Sequence, residues 1–333
     1  MVIIQYYSTA VIMCIITMIC WGSWANTMKL TGKQWFFQLY YWDYSLGVLI
    51  FSLIFAFTLG STGTMGRSFV QDIMQGDQKY LLYALLAGAI FNLSNVLLVT
   101  VIDIAGMAIA FPIGVGLALV IGVISGYINN PAGNPWLIFS GLACVVIAII
   151  IDGIAYSKIP SDGKKSVVKG IVISIITGIL MGFFYPILVA SISPNLINPE
   201  PGKLTPYSAI VMFSIGLFLS SFIWNYYFMR KPLSGSKVSF ADYFKNGSTK
   251  DHLVGILGGL IWCTGFSLMT LAADKAGAAI SYGLGQGATM VAVIWGVFVW
   301  KEFKAAPKTA NRLLAAMFFF YLVGLSLLVI AKL

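Results

Sequence analysis

Charge is scarce in this sequence: 9% of its 333 residues are Asp, Glu, Lys or Arg, where an ordinary soluble domain carries about 25%. Too little charge remains to cover a water-facing surface, so a soluble fold is excluded. Histidine is nearly absent, with His252 alone, and Cys14, Cys20, Cys144 and Cys263 are scattered through apolar stretches without metal-ligand spacing. Neither a metal nor a cofactor is expected, and the cysteines read as small core residues. Neither H-E-x-x-H nor G-x-S-x-G occurs, so an intramembrane hydrolase lacks its parts. The loop SKIPSDGKKSVVKG, residues 157–170, contains GKKS but no complete glycine-rich phosphate loop.

What is present is length and apolarity. Hydrophobic residues make up 59% of the chain, and runs of about 20 apolar residues, enough to cross a hydrocarbon core as a helix, recur throughout. Ten are found, near 8–28, 38–59, 80–102, 106–128, 135–156, 168–191, 206–228, 252–272, 278–300 and 309–331. No stretch between them is long enough for a soluble domain. The expected fold is an all-α integral membrane protein of ten transmembrane helices, in a bacterial inner or other plasma membrane. The first run is expected to stay as a helix, because no Lys or Arg precedes it and no small-residue cleavage pattern follows.

The net charge of +9 need not mean a nucleic-acid partner. Placing both termini outside leaves Arg67, Lys79, Lys203, Lys275 and Lys332 on the outer side and the other 15 of 20 basic residues inside, the bias that membrane orientation produces.

An ungapped shift of 171 residues relates the third and fourth segments to the eighth and ninth. Gly88, Leu97, Asp103, Gly106, Gly114 and Gly116 fall on Gly259, Leu268, Asp274, Gly277, Gly285 and Gly287. The chain therefore reads as a duplication, 1–160 and 161–333, joined at the basic loop. Five segments per half is odd, so the second half enters the membrane from the opposite side: two inverted five-helix repeats, with a binding site expected near the midplane between them.

Paired helix interruptions are the best pointer to such a site. The fourth segment has FPIGVG, Phe111 to Gly116, and the ninth YGLGQG, Tyr282 to Gly287. Pro112, Gly114, Gly283 and Gly285 are the expected breaks, and Phe111, Tyr282 and Gln286 the flanking candidates. Polar and flat side chains inside other segments add to them, because such groups are costly in hydrocarbon unless they face the protein interior. These are Trp24 and Asn26, Phe91 with Asn92 and Asn95, Tyr185, and Trp262, which the shift places opposite Phe91. Amides, hydroxyls and rings without a deep Lys or Arg suit a small neutral polar solute. The same residues would also serve as interhelical glue or as interfacial belts.

Asp43, in YYWDY, is the acid that best fits a coupling role, and no other acid reads as so plausibly deep. If its helix begins near Trp35 it lies about 12 Å in, where it could carry a proton. If the helix begins at Tyr41 it is a surface partner for Lys29 or Lys33 among belt aromatics. Asp103 and Asp274 are expected to cap the helices that follow them, and Glu302 to be solvated.

The stretch GSWANTMKLTGKQ from Gly22, followed by YYWDYSLG and FTLGSTG, resembles the start of ureide permeases. There a G-[ST]-W element, an LT-containing link, a Y-x-D-Y-[ST]-L element and a TLG element occur in that order. GGLIWCTGFSLMTLAADKAGAAISYGLGQ, residues 258–286, looks like both those permeases and the related glucose/ribose porters of the drug/metabolite transporter superfamily. The resemblance implies a central cavity between the halves and alternating access, often driven by protons. Plant ureide permeases carry allantoin and related nucleobases, and the porters monosaccharides. The long central loop of the plant proteins is reduced here to residues 157–170. The expectation is a proton-coupled importer, monomeric or homodimeric, of a ureide, nucleobase or nucleoside. A monosaccharide porter or an exporter of the same superfamily stays open.

Overall fold

The computed structural model describes residues 1–159, 167–233 and 236–333, so the join expected at residues 160 and 161, and GKKS, lie outside the described residues. Ten helices are long and apolar enough to cross a membrane: α1 (Tyr7–Leu30), α2 (Phe37–Phe57), α3 (Gln78–Ala105), α4 (Met107–Asn129), α5 (Pro135–Tyr156), α6 (Val167–Ser191), α7 (Pro206–Arg230), α8 (Thr249–Ala276), α9 (Ala278–Val299) and α10 (Lys308–Ile330). Among the described residues there is no β-strand, only an isolated bridge between Ile192 and Leu204.

The helices pair in a regular scheme. α3 packs on α6 and α7, α8 on α1 and α2, α6 on α4 and α1 on α9, while α5 lies on α10, α2 on α7 and α4 on α9. Exchanging each helix for the one five places along reproduces the same scheme. Two close helix approaches follow it too. Gly47 of α2 lies against the backbone carbonyl of Ile256, and Gly216 of α7 against that of Leu85. Ile256 and Leu85 are themselves 171 residues apart, and a side chain at either glycine would collide with the facing backbone.

Gly106 and Gly277, related by the same shift, turn the chain from α3 into α4 and from α8 into α9 in a single residue, at φ of 82° and 88°. Both occupy the region that favours glycine. This corrects the expectation for Asp103 and Asp274. The residue before each new helix is the glycine, no side chain caps there, and the acids sit three residues earlier, still within the last turn of α3 and α8. Asp274 pairs with Lys275 at 2.9 Å.

One end of the bundle gathers both termini. The Met1 amino group donates to the Met65 carbonyl, and the Asn134 N–H to that of Ala331. At this end fully buried Asp72 ties two links together, accepting from Arg67 Nε at 2.9 Å and from the Thr205 N–H at 2.7 Å. Asp72→Ala would leave both donors without their acceptor, and breaking a buried ion pair costs about 3–5 kcal/mol. A clear drop in the thermal midpoint of the purified protein, followed by tryptophan fluorescence, is the expected result.

The opposite end carries the links 31–36, 231–248 and 300–307. Here the short helix Phe240–Asn246 and α8 each start with a capping box, Ser239 with Asp242 and Ser248 with Asp251. The Ser239 hydroxyl and N–H hold the Asp242 carboxyl below the usual carboxylate range.

Candidate functional site

The centre of the bundle is a layer of packed aromatic rings. Phe91 and Trp262 each stand 13 residues into a 28-residue helix, and their rings meet with centroids 4.5 Å apart. Residues related by the internal shift thus touch each other at mid-length. Trp262 also stacks on Trp21 at 6.0 Å and 7°, and on Phe266 at 5.0 Å. Phe213 and Tyr44 contact it from α7 and α2. Trp24 lies on Tyr44, and Phe184 bridges Phe91 to Tyr282, which stacks on Tyr185 at 5.3 Å.

Of the residues expected from sequence, the layer brings together Trp24, Phe91, Tyr185, Trp262 and Tyr282. In this conformation they pack on one another rather than around an open cavity, because ring faces meeting ring faces bury their area without needing polar partners. Asn92 turns away from the layer and toward α7, donating to the Leu217 carbonyl at 3.1 Å and to the hydroxyls of Ser220 and Ser221. Asn95 donates to the Tyr41 hydroxyl at 3.3 Å. Gln286 occupies the turn that interrupts α9, where neighbouring Gly285 faces Trp21 and Met269. Gly283 lies on the other side, against Leu328 of α10. Pro112 and Gly114 fall in a π-helical turn of α4, Ala110–Val115.

Two candidates lie away from the centre. Asn26 accepts from Trp300 Nε1 at 2.6 Å, and Phe111 packs edge-on to Tyr156, both near the end carrying link 300–307. Sequence reasoning missed Tyr44, Phe184, Phe213 and Phe266. The surface alternative for Asp43 also made the aromatics of YYWDY interfacial, whereas Tyr40, Tyr41 and Tyr44 are fully buried. Two hydroxyls of the layer, those of Tyr44 and Tyr185, are buried without a hydrogen-bond partner among the described residues, as is the Oδ1 of Asn92.

Asp43 lies between the two depths drawn from the sequence. α2 begins at Phe37, so Asp43 lies six residues, about 9 Å, from its start, and it is 2% exposed. Its partner is not a lysine. His252 Nδ1 stands 3.0 Å and 3.1 Å from the two carboxylate oxygens, which places the ring proton on Nδ1 if the acid is ionised. The Tyr243 hydroxyl donates to it at 2.6 Å. Burial first, then the hydrogen bond and charge of Asp43, raise the Tyr243 phenol above its ordinary value, so it remains a donor. Trp35 packs edge-on to His252 and tilted on Tyr243.

The lysine expected beside Asp43 goes elsewhere. Lys29 pairs with Glu302, which also accepts from the Tyr156 hydroxyl at 3.4 Å, so Glu302 is not merely solvated. Together with the Trp300–Asn26 bond and a Trp295 Nε1 bond to Ser23 at 2.9 Å, this ties α1 to α9 and the following link. Among the described residues no group of His, Cys, Asp and Glu is placed to hold a metal ion.

Comparison with known proteins agrees with this architecture. A crystal structure of a protein matches 97% of each chain with a TM-score of 0.57 at 14% identity, a likeness of fold alone. Ureide permease 1 of Arabidopsis thaliana is 22% identical over 98% of both chains, and ureide permease 2 of the same plant 21% over the same share. The glucose uptake protein GlcU of Bacillus subtilis (strain 168) is 23% identical over 81% of this chain and 80% of its own. The ureide permease family profile matches residues 40–169 and again 158–331, spanning both halves and every residue of the central layer except Trp21 and Trp24. This ten-helix integral membrane protein is a transporter, not an enzyme, and it belongs to the ureide permease family.

Proposed function

We propose that the protein is a proton-coupled importer of a small neutral polar solute with a flat face, a ureide, nucleobase or nucleoside. It would work by alternating access between inverted five-helix repeats, 1–160 and 161–333, with both termini outside. The observation that carries this reading is the aromatic layer. Repeat-related Phe91 and Trp262 meet at mid-length, and in the same layer the Tyr44 and Tyr185 hydroxyls are buried without a hydrogen-bond partner among the described residues. Rings able to separate could clamp a planar solute, while these hydroxyls would give it hydrogen bonds. The exchange symmetry of the helix pairing supports two halves rocking about that layer.

A second reading, a monosaccharide solute, is favoured by the similarity to the glucose uptake protein, since a ring face can also stack on a sugar. Uptake of labelled allantoin, uracil, inosine, ribose and glucose into liposomes, with and without an inward proton gradient, separates the two. The expected result is gradient-dependent accumulation of a ureide or base. Accumulation of glucose or ribose alone would favour the second reading, and accumulation of none would sink the importer.

A further inference from the structure

Four acids are buried among the described residues: Asp43, Asp72, Asp152 and Asp251. Three have partners. Asp43 meets His252 and Tyr243, Asp72 meets Arg67 and Thr205, and Asp251 meets Ser248 and the Gly32 N–H. Asp152 is the exception. It is fully buried in the last two turns of α5, and neither carboxyl oxygen finds a hydrogen-bond partner.

Among the described residues no basic group pairs with it. Next to it on α5, Gly153 abuts the Pro112 ring in the π-helical turn of α4 and the Ala108 carbonyl just before that turn. One turn further along α5 is Tyr156, and from α10 comes Tyr321; both hydroxyls are within electrostatic reach. Both are engaged elsewhere, Tyr156 with Glu302 and Tyr321 with Thr289 of α9. Glu302, which holds the Tyr156 hydroxyl, is itself acidic and is paired with Lys29. An ionised carboxylate left bare inside a bundle costs several kcal/mol or more, and one added proton removes that cost.

We propose that Asp152 is a proton-binding site, holding a proton in this closed conformation. The proton is released to water when the contacts above it, Tyr156 with Glu302 and Glu302 with Lys29, come apart. The step is a simple transfer: the carboxyl O–H bond breaks, the pair of electrons stays on oxygen, and the proton passes to an entering water. Reclosure requires the reverse. The site is independent of the solute proposed above, and its test needs no transport.

Infrared difference spectra of the purified full chain in liposomes, recorded between neutral and alkaline pH, read the carbonyl stretch of a protonated carboxyl. Wild type is expected to show this band, shifted on exchange into deuterated water, and Asp152→Asn to lose it. Asp43→Asn should keep it. Should Asp152→Asn fail to fold, Asp152→Glu serves instead and should move the band. Identical bands in wild type and the Asp152 variant would overturn the proposal. So would absence of the band together with sodium-dependent thermal stabilisation of wild type but not of the variant, which would make the site one for a metal cation.

Discussion

Trp262→Ala is expected to cost about 3–5 kcal/mol of stability, the range for removing a buried large aromatic side chain, and to abolish uptake. Five rings, those of Trp21, Tyr44, Phe91, Phe213 and Phe266, rest on this one indole. They come from five different elements of the bundle, α1, α2, α3, α7 and α8 itself, so the gap cannot be closed by one neighbour. Lost uptake alone would not distinguish a collapsed core from a missing solute contact. Trp262→Phe makes that distinction. It keeps an aromatic face against Phe91 and Phe266, and its thermal midpoint should stay close to that of wild type. If the indole also stacks on solute, KM should rise about tenfold, equivalent to about 1.4 kcal/mol, with little change in maximal rate. A Trp262→Phe variant with unchanged KM for every transported solute would reduce the layer to a structural role.

The ten helices were legible because apolar length is a local property, and so were the matching glycines at Gly106 and Gly277, which share a positive φ. Boundaries were read short where helices end in polar residues. The eighth segment, read as 252–272, runs as Thr249–Ala276, since its capping box adds a turn and Asp274 and Lys275 extend its far end. Within the centre, residue types alone pointed to Phe91 and Trp262. Yet nothing local distinguishes Asn92, which braces α7, from an amide that faces a solute.

Polar pairs across the bundle were out of reach for a different reason. Asp43 and His252 are 209 residues apart, and Lys29 and Glu302 are 273 apart, so only the packing of α2 on α8 and of α1 beside α9 brings them together. Lys29 and Lys33 were offered to Asp43, in the surface alternative, because they are near in sequence. The real partner came from the helix that α2 packs against, with Tyr243 supplied by a link that carried no apolar run. Asp152 was overlooked inside IIIDG, residues 149–153, where the surrounding isoleucines set the reading of the whole segment.

Asp43→Asn is expected to end proton-driven accumulation while leaving solute exchange between equilibrated compartments intact. The carboxylate receives two donors, Tyr243 and His252, which join α2, α8 and the short helix Phe240–Asn246 at one end of the bundle. Asparagine keeps the shape and can still accept from Tyr243, but its amide turns a second donor toward the His252 Nδ1–H. The latch therefore weakens, by about 1–3 kcal/mol for an unsatisfied buried donor, without a cavity. Asp43→Ala leaves both partners without an acceptor and should cost more, about 3–5 kcal/mol, showing as a lower thermal midpoint. His252→Gln separates the histidine's part: if the pair acts as one unit, the double variant with Asp43→Asn should be no worse than either single variant. Full gradient-driven accumulation by Asp43→Asn would remove the residue from coupling. The Asp43 cluster would then be a structural tie between α2 and α8, comparable to the Asp72 tie at the other end.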